Sequence, residues 1–367
     1  MSTKRSFFVL GVLGVSATFG ACKDKQPEQA ATSAATPSAA PSAAPAGITR
    51  EQATAVFKPL ATEMTSAENP ITDAKVELGR TLYYDERLSK NQDVSCNTCH
   101  LLDKYGVDGT DVSVGHKKAK GTRNAPTVYN AAAHFVQFWD GRSPNVEHQA
   151  TQPVLNPVEM AMPDEAAVLK VLQSIPEYVE AFKKAFPDDK EALTYANMGK
   201  AIGAFERKLV TPSRWDKYLA GDDKAITDEE KMGAKAFMDA NCTTCHQGEH
   251  LGGTMYQKAG LVKPWPNQKD QGRFDVTKAE ADKMMFKVPG LRNIEKTAPY
   301  FHDASAKTLE EAVQMMSEYQ FNKKLDDKQV ASIVAFLKTL TGDLPMDLIK
   351  KPELPKSGPK TPKPDPN

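Results

Sequence analysis

Apolar residues recur at helical spacing in two stretches of the chain. One set is Tyr195, Met198, Ile202, Phe205 and Leu209, and the other is Val330, Ile333, Val334, Leu337 and Leu340, followed by Gly342. Both sets follow the 3.6-residue period of a helix with one buried face. No convincing alternation of apolar and polar residues indicates strands. The pattern predicts an all-α fold with long loops, and Gly342 is expected to end the second helix.

Three helix starts are marked by a threonine with a glutamine or glutamate three residues later. The pairs are Thr49 with Gln52, Thr227 with Glu230, and Thr308 with Glu311. Such capping boxes satisfy free backbone N–H groups at a helix N-terminus. Helices are therefore expected to begin directly after these threonines.

The N-terminus has the features of an export signal. Lys4 and Arg5 precede an apolar stretch over residues 7–19, and small residues lead to Cys22. We interpret residues 1–21 as a signal peptide. The position of Cys22 resembles a bacterial lipoprotein cleavage site, which predicts a lipid anchor and a periplasmic location. Ordinary secretion with a free thiol at Cys22 is the alternative.

Low-complexity segments flank the central part of the chain. Residues 22–48 are rich in Ala, Pro and Ser, and residues 346–367 are rich in Pro and Lys. Segments with few large apolar side chains cannot offset the entropy of ordering. We expect the first to be a flexible tether and the second to be a disordered tail.

The net charge gives no indication of a polyanionic partner. Lys plus Arg number 47, as do Asp plus Glu, so the formal net charge is +0. This balance provides no argument for nucleic-acid binding. Membrane contact is expected only through the lipid anchor.

Four of the five cysteines form two CxxCH motifs. The motifs consist of Cys96, Cys99 and His100, and of Cys242, Cys245 and His246. A disulfide framework is the alternative in an exported protein, but a histidine directly after each pair is typical of c-type haem attachment. The thiols add to the haem vinyl groups and the histidine ligates iron. The sequence therefore predicts two covalently attached haem c groups.

A weak internal repeat accompanies the two motifs. Before the motifs, residues 77–80 are related in sequence to residues 231–234. After the first motif, Arg-Asn at 123–124 is followed by Phe-Trp-Asp at 138–140. After the second motif, Arg-Asn at 292–293 is followed by Phe-His-Asp at 301–303. The repeat predicts two cytochrome c-like lobes, over residues 49–215 and 216–345.

Several segments outside the motifs closely resemble bacterial di-haem cytochrome c peroxidases. The resemblance extends over about residues 70–342, and its segments are Ser95–His100, Gly115–His116, Arg123–Val128, Gln137–Arg142, Leu291–Asn293 and Thr297–His302. The roles given next are those that this resemblance implies.

The resemblance implies that the first haem is the peroxidatic one. His116 would close this haem in the resting enzyme and depart on activation, and its loop contains Gly106, Gly109, Gly115 and Gly121, which permit backbone movement. Glu159 matches the catalytic glutamate and Gln149 the neighbouring distal glutamine. A distal carboxylate can move a proton between the peroxide oxygens.

The second haem would be the electron-transfer haem. Met316 matches its distal ligand, with Met315 as the adjacent competitor, and methionine opposite histidine raises a haem's reduction potential. Trp139 matches the tryptophan between the haems. His302 is expected to support the second pocket, whereas His134, His148 and His250 have no assigned role.

The resemblance also implies a calcium ion between the lobes. Asn124 and the backbone carbonyls of Thr297 and Pro299 match its protein ligands. Oxygen donors suit this hard cation. Because the protein would supply only three ligands, several waters are expected to complete the shell, and the affinity for calcium is expected to be modest.

The expected activity is reduction of hydrogen peroxide to water, with electrons from a small periplasmic cytochrome c or cupredoxin. Homodimers are common in the resembled family, and the sequence leaves the oligomeric state open. Two alternatives remain. MauG-like relatives oxidise a partner protein's tryptophans but have tyrosine where this chain has Met316. A pure electron carrier would keep both haems six-coordinate.

Overall fold

The structure, a computed structural model, describes residues 47–367. The expected signal peptide, Cys22 and the tether up to residue 46 lie outside the described residues. The helices are α1 (Arg50–Thr54), α2 (Asp73–Tyr83), α3 (Cys96–Cys99), α4 (Val146–Leu155), α5 (Glu165–Gln173), α6 (Pro176–Ala185), α7 (Tyr195–Glu206), α8 (Arg214–Leu219), α9 (Asp228–Asp239), α10 (Phe274–Thr277), α11 (Leu309–Phe321), α12 (Asp327–Lys338) and α13 (Met346–Ile349).

The helix-rich fold agrees with the prediction from the apolar periodicity, with one addition. Strands β1 (Tyr256–Lys258) and β2 (Met285–Lys287) pair antiparallel, with Tyr256 opposite Lys287. Their three residues each are too short for an alternating pattern to stand out in the sequence. None of the helices within residues 47–367 is long and apolar enough to cross a membrane.

All three predicted capping boxes are confirmed, at the starts of α1, α9 and α11. The predicted role of Gly342 is wrong, because α12 ends at Lys338 with Thr339 as its C-cap. A Cβ at Gly342 would lie 2.1 Å from the carbonyl oxygen of Thr211. Gly342 is therefore needed for a close backbone approach and not for helix termination.

The chain folds around two main hydrophobic cores. The first core is built by α2 and α4–α7, and it contains buried residues such as Leu82, Tyr178 and Phe205. The second is built by α8, α9, α11 and α12, around Phe237 and Phe336. Each core includes the helix that precedes one CxxCH motif, as the duplicated sequence predicts.

The repeat has the same structural role in both lobes. A Cβ at Gly79 on α2 would lie 1.9 Å from the carbonyl oxygen of Ala201, and one at Gly233 on α9 would lie 2.0 Å from that of Ser332. Each glycine thus allows its helix to cross a later helix in near backbone contact. These crossings, α2 on α7 and α9 on α12, place the two motifs alike in the two lobes.

The second part of the repeat is also preserved in the backbone. Phe138 and Phe301 both have positive φ, at 66° and 73°. Isolated bridges pair Gln137 with Ser143 and Tyr300 with Ala306 around these residues. The two turns lead directly into α4 and α11, so these helices are equivalent elements of the two lobes.

The expected lobe boundary at residue 49 is wrong, because the first described segment belongs to the second core. Ile48 and Phe57 are buried there, and the Phe57 ring packs edge-on against Trp215 with centroids 5.5 Å apart. The described part of the chain therefore starts in the second lobe, at Ile48, and then enters the first. A boundary read from the repeat alone does not reveal this crossing.

The prediction of a disordered tail over residues 346–367 is also wrong. Ile349 on α13 is buried in the first core, and its carbonyl accepts a hydrogen bond from the Tyr84 hydroxyl. Arg87 donates to the carbonyl of Pro355 at 2.8 Å. The tail packs on the first core through Ile349, with Leu348 and Leu354 partly buried beside it, and through hydrogen bonds to its backbone carbonyls. Its Pro- and Lys-rich composition does not reveal these contacts.

Polar contacts join the two lobes next to the haem motifs. Arg123 of the first lobe binds the Asp270 carboxylate through two nitrogens, at 2.6 and 2.8 Å. The Asn124 N–H donates to the carbonyl of His302 at 2.9 Å. These contacts bring the residues of both repeats to one interface.

Candidate functional site

The second CxxCH motif opens onto a large apolar cavity. Cys242, Cys245 and His246 lie in its wall. Most of the remaining lining is apolar or aromatic, with side chains from α11, α12 and β2 among it. Such a lining has the polarity to accept a planar apolar group.

The ring of His246 is oriented for metal binding. Its Nδ1 lies 2.9 Å from the carbonyl oxygen of Leu251, and burial lowers its pKa, which favours the neutral form. A neutral imidazole whose Nδ1–H donates to a backbone carbonyl presents Nε2 as the ligating atom.

Met316 and Met315 on α11 differ in their contacts. Both pack against the cluster of Trp265 and Phe286. Met316 also lines the cavity of the second motif, and Met315 also packs against the second core. A thioether facing the same cavity as His246 is a suitable second axial ligand.

The first motif has the same arrangement on α3. The Nδ1 atom of His100 lies 3.3 Å from the carbonyl oxygen of Gly106, and burial lowers the pKa of this ring. The carbonyl of His100 accepts a hydrogen bond of 2.8 Å from the Tyr83 hydroxyl. His100 is thereby also held with Nε2 as the available ligand.

The cysteines of both motifs are free, which contradicts the disulfide alternative for them. Burial raises the pKa of Cys96 and of Cys242 to about 12. Thiols in this state are not thiolate nucleophiles. Two half-buried thiols beside an oriented histidine in each lobe fit thioether attachment of haem, so Cys96, Cys99, Cys242 and Cys245 would hold the porphyrins.

The His116 loop packs against the segment that carries Glu159. The His116 N–H donates to the carbonyl of Glu159 at 2.8 Å, and a Cβ at Gly115 would lie 2.3 Å from the carbonyl oxygen of Val158. The His116 side chain is buried, and its Nδ1 has no hydrogen-bond partner within residues 47–367. This ring carries a nitrogen that is available to a metal.

The backbone after His116 is in an unusual conformation. Lys117 and Lys118 have φ of 53° and 61°, in the left-handed region that non-glycine residues rarely adopt. Two such residues in succession store conformational energy next to the histidine. The segment is suited to a change of conformation when an interaction that holds it is lost.

Glu159 lies in the electrostatic environment of the first motif. Burial raises its pKa, while Arg142 and a 2.7 Å hydrogen bond from the Asn156 amide lower it. The Glu159 charge in turn contributes to raising the pKa of Cys99. A half-buried carboxyl with a raised pKa, close to a haem-attachment cysteine, is suited to acid–base work.

Gln149 and Trp139 occupy different surroundings. Gln149 is half-buried on α4, and its side chain forms no hydrogen bond with another described residue. Trp139 lies in the first lobe but lines the cavity of the second motif. Its indole N–H donates to the carbonyl of Asn124 at 2.9 Å. Trp139 thus connects the two lobes beside the second attachment site.

The duplicated lobes differ at the distal-ligand position. The turns at Phe138 and Phe301 align α4 with α11, including their N-caps Asn145 and Thr308. In this alignment the equivalent of Met316 is Pro153, which has no ligating atom in its side chain. The first lobe therefore has no thioether at this position, whereas the nearby loop carries the buried His116 ring, whose Nδ1 has no hydrogen-bond partner within residues 47–367.

The three residues expected to bind calcium line one cavity. Asn124, Thr297 and Pro299 lie in the wall that also contains His246. The Asn124 amide donates through Nδ2 to the carbonyl of Thr110 at 2.9 Å, which leaves Oδ1 as an acceptor. No group of three His, Cys, Asp or Glu side chains within residues 47–367 is arranged to hold a metal. A cation here would depend on neutral oxygens.

Sequence reasoning missed three residues of these sites. Asn156 and Arg142 tune Glu159, and Lys287 is buried in the wall of the second cavity. Arg142 belongs to the Gln137–Arg142 segment and could have been considered. Asn156 and Lys287 carry no signal in a single sequence, because ordinary turns and short strands contain such residues.

The remaining histidines are divided between interior and surface. His302 lines the second cavity and stacks on Phe286, with ring centroids 4.0 Å apart, as expected of a residue that supports this pocket. His134 and His250 pack edge-on at 5.6 Å. His148 is exposed and contacts the Ser143 hydroxyl at 2.8 Å.

Together, the helical fold and the two attachment sites define a di-haem c-type cytochrome architecture. Residues 73–224 match the family described as di-haem cytochrome c peroxidase, and residues 231–341 match the family described as cytochrome c. The chain is 45% identical to the cytochrome c551 peroxidase of Pseudomonas aeruginosa, over 87% of this chain and 93% of that protein. It is 47% identical to the cytochrome c551 peroxidase of Nitrosomonas europaea, over 82% of this chain and 89% of that protein.

The structure resembles that of a MauG-like protein associated with microbial copper homeostasis. The TM-score is 0.69 at 31% sequence identity, covering 80% of this chain and 96% of that chain. The chain belongs to the di-haem cytochrome c peroxidase family. This confirms the resemblance drawn from the sequence and the expectation of an enzyme of the cytochrome c peroxidase class.

Proposed function

We propose that the protein reduces hydrogen peroxide to water at its first attachment site, with electrons that enter through the second. The observation that carries this proposal is the position of Glu159, whose half-buried carboxyl lies close enough to Cys99 to affect its pKa. The same residue's backbone holds the His116 loop. Glu159 would therefore contribute both to proton transfer, through its carboxyl, and to control of access, through its backbone contact with the His116 loop.

Haem bound through Cys96, Cys99 and His100 would supply the iron that binds peroxide and exchanges electrons. Glu159 accepts a proton from the near peroxide oxygen and returns it to the far one. With two electrons and two further protons, the O–O bond is cleaved and two waters form. Gln149, on the helix before this segment, would donate a hydrogen bond to the bound peroxide.

His116 is proposed to control access to the first site. The equivalent of Met316 in this lobe is Pro153, so the His116 imidazole is the candidate for the resting distal ligand. Its release would break the hydrogen bond to the Glu159 carbonyl and relax the left-handed residues Lys117 and Lys118. Peroxide would then enter beside Glu159.

The second site is proposed to store and deliver electrons. His246 and Met316 line one cavity and would be the protein ligands of the iron, a ligand pair that favours electron transfer over binding of substrate. Trp139 provides an aromatic side chain between this cavity and the first lobe. The electron donor would be a small cytochrome c or a cupredoxin.

Calcium is proposed to stabilise the interface between the two lobes. Asn124 Oδ1 and the carbonyls of Thr297 and Pro299 would supply neutral oxygen ligands, with water completing the shell. Asn124 also bonds through its backbone to His302 of the second lobe. Removal of the ion would therefore loosen the contact between the lobes.

The setting that we propose is the periplasm, with attachment to a membrane through an acylated Cys22. Haem attachment at CxxCH outside the bacterial cytoplasm supports export. A homodimer is a further proposal, made only on the resemblance to the family. Mass spectrometry of the mature N-terminus tests acylation, and sedimentation of the holoprotein tests the oligomeric state.

Donor-dependent peroxide consumption by the holoprotein tests the main proposal. The variants are Glu159→Gln and His116→Ala, with the exposed residues Glu177→Gln and His148→Ala as matched controls. We expect Glu159→Gln to lose about 10²–10⁴-fold in kcat/KM and the controls to retain wild-type values. Turnover that survived the combined replacement of His116 and Glu159 by alanine would refute the mechanism.

Met316, in place of tyrosine, argues against the MauG-like alternative. The pure carrier differs from our proposal in the first lobe, where His116 would have to remain a ligand in every redox state. The left-handed backbone at Lys117 and Lys118 favours a histidine that can leave instead. Binding of cyanide to one haem after reduction of the other would exclude the carrier.

A further inference from the structure

The cavity of the second motif contains a buried cation that the proposed peroxidase mechanism does not use. Lys287 on β2 lines this cavity and is 6% exposed. Within residues 47–367, no aspartate, glutamate or arginine lines the same cavity. Lys287 is therefore the one charged side chain, other than a histidine, in a wall that is otherwise apolar or neutral.

The Lys287 ammonium has no carboxylate partner in the described part of the chain. Its Nζ lies 3.3 Å from Nδ1 of His134, and burial together with the charge of Lys287 lowers the pKa of His134 well below its usual value. His134 thus accepts a hydrogen bond without supplying a negative charge. Buried charges are normally paired, so an anion is missing from this arrangement.

Asp140, the carboxylate that affects the pKa of Lys287, is already engaged by other cations. Asp140 raises the pKa of Lys287, against the stronger lowering by burial. Its oxygens, however, are bound by Arg123 at 2.5 Å and by Arg142 at 2.9 Å. Two guanidinium groups leave this carboxylate little capacity for a third cation. The partner of Lys287 must come from a group that enters the cavity.

The geometry points to Lys287 as the ion-pair partner of a propionate carboxylate of the second haem, with His134 positioning its ammonium. This inference rests on the proposed attachment of haem at Cys242, Cys245 and His246. Haem brings two carboxylates into an apolar cavity, and a fixed ammonium is the complementary charge. Backbone pairing fixes the lysine, because its N–H donates to the Trp139 carbonyl at 2.8 Å.

The pair would set the reduction potential of the second haem. Without the ammonium, an unpaired propionate charge near the iron would stabilise the oxidised, more positive state. The reduction potential would therefore depend on a single charge in the largely apolar cavity wall, in addition to the residues that ligate the iron. Lys287 would be a haem-binding residue, and His134 the residue that positions it.

The test compares Lys287→Met, Lys287→Gln and Lys287→Arg in the holoprotein. Lys258→Met, in the paired strand but exposed, is the matched control. The readouts are haem content per chain and the reduction potentials of both haems. We expect the two neutral variants to shift the second haem's reduction equilibrium at least tenfold towards oxidation, which is 59 mV for one electron. In Lys287→Arg and Lys258→Met, the reduction equilibrium of the second haem should stay within about threefold of the wild-type value. The reduction potential of the first haem should not change in any variant.

Each other outcome is decisive. An unchanged second potential in a fully loaded neutral variant overturns the ion pair, as does an equal shift in Lys287→Arg. If the neutral variants lack only the second haem while Lys287→Arg retains it, the need for a cation is supported. If all three lack it, the role is steric and the inference is wrong. Wild-type protein without two haems would instead refute the proposed function.

Discussion

The backbone N–H of His116 donates a hydrogen bond of 2.8 Å to the carbonyl oxygen of Glu159. The loop that would carry the removable ligand is therefore attached to the residue that would move the proton. Release of His116 and exposure of the Glu159 carboxyl become parts of one local rearrangement. This relationship explains why both residues belong to the same short region although 43 positions separate them in sequence.

Replacement of Gly115 by alanine should weaken the resting position of His116. The added Cβ would lie 2.3 Å from the Val158 carbonyl oxygen and 2.6 Å from that of Glu159, so the loop must move away. We expect a fraction of the first haem to lose its histidine ligand without prior reduction. Absorption spectra of the oxidised holoprotein would report this as a high-spin signal.

Gly121→Ala is the control for that change, because its nearest neighbour would be 3.6 Å away, an ordinary contact. Its spectrum should match that of the wild type. If Gly115→Ala also remained fully low-spin, with peroxide activity unchanged, the coupling between the loop and the Glu159 segment would be refuted.

The pH profile of kcat/KM should contain a limb that belongs to Glu159. The ionised carboxylate is the form that accepts a proton, so activity should rise as pH increases through its pKa, which burial raises. Asn156→Ala removes a hydrogen bond to the charged form and should move this limb to higher pH. Glu159→Gln should abolish it. A limb unchanged in both variants would assign the titration to another group.

Met316→Ala should alter the second haem far more than Met315→Ala. Loss of the thioether that faces His246 would lower the potential of this haem and remove its sulfur-to-iron absorption band. Met315 packs in the core, so its truncation should mainly reduce stability. Loss of the band in Met315→Ala instead would reverse the ligand assignment.

The tail should contribute to the stability of the first lobe. Ile349→Ala removes a side chain buried in the first core and is expected to cost about 2–5 kcal/mol in the free energy of unfolding. The adjacent exposed residue provides the control Lys350→Ala, which should cost less than about 0.5 kcal/mol. Thermal unfolding of both variants measures the difference. Equal melting temperatures would show that the tail does not support the lobe.

The sequence predicted the helices and the duplication well, because both depend on local patterns. Capping boxes at Thr49, Thr227 and Thr308 and the paired glycines of the repeat are readable from a few adjacent residues. The segment around Phe57 and the tail at Ile349 were misjudged. Their order arises from contacts with distant parts of the chain, and the few apolar side chains that make these contacts do not form a periodic pattern.

The candidate site was recognisable only in part. The CxxCH motifs carry their chemistry in fixed spacing, whereas Glu159 and Gln149 were singled out by family resemblance alone. Lys287 could not be anticipated, because a lysine in a three-residue strand looks like an ordinary surface residue. Its burial follows from the packing of β2 between the lobes, which depends on tertiary structure.

The most direct test of the division between the two sites is a stepwise redox titration of the holoprotein, with cyanide present and absorption spectra recorded at each potential. We predict that the haem with histidine and methionine ligands is reduced first, and that cyanide then binds the haem at Cys96 and Cys99. In His116→Ala, cyanide should bind this haem before any reduction. Binding of cyanide at the Cys242 and Cys245 haem, or at neither haem after half-reduction, would refute the proposed division between the two sites.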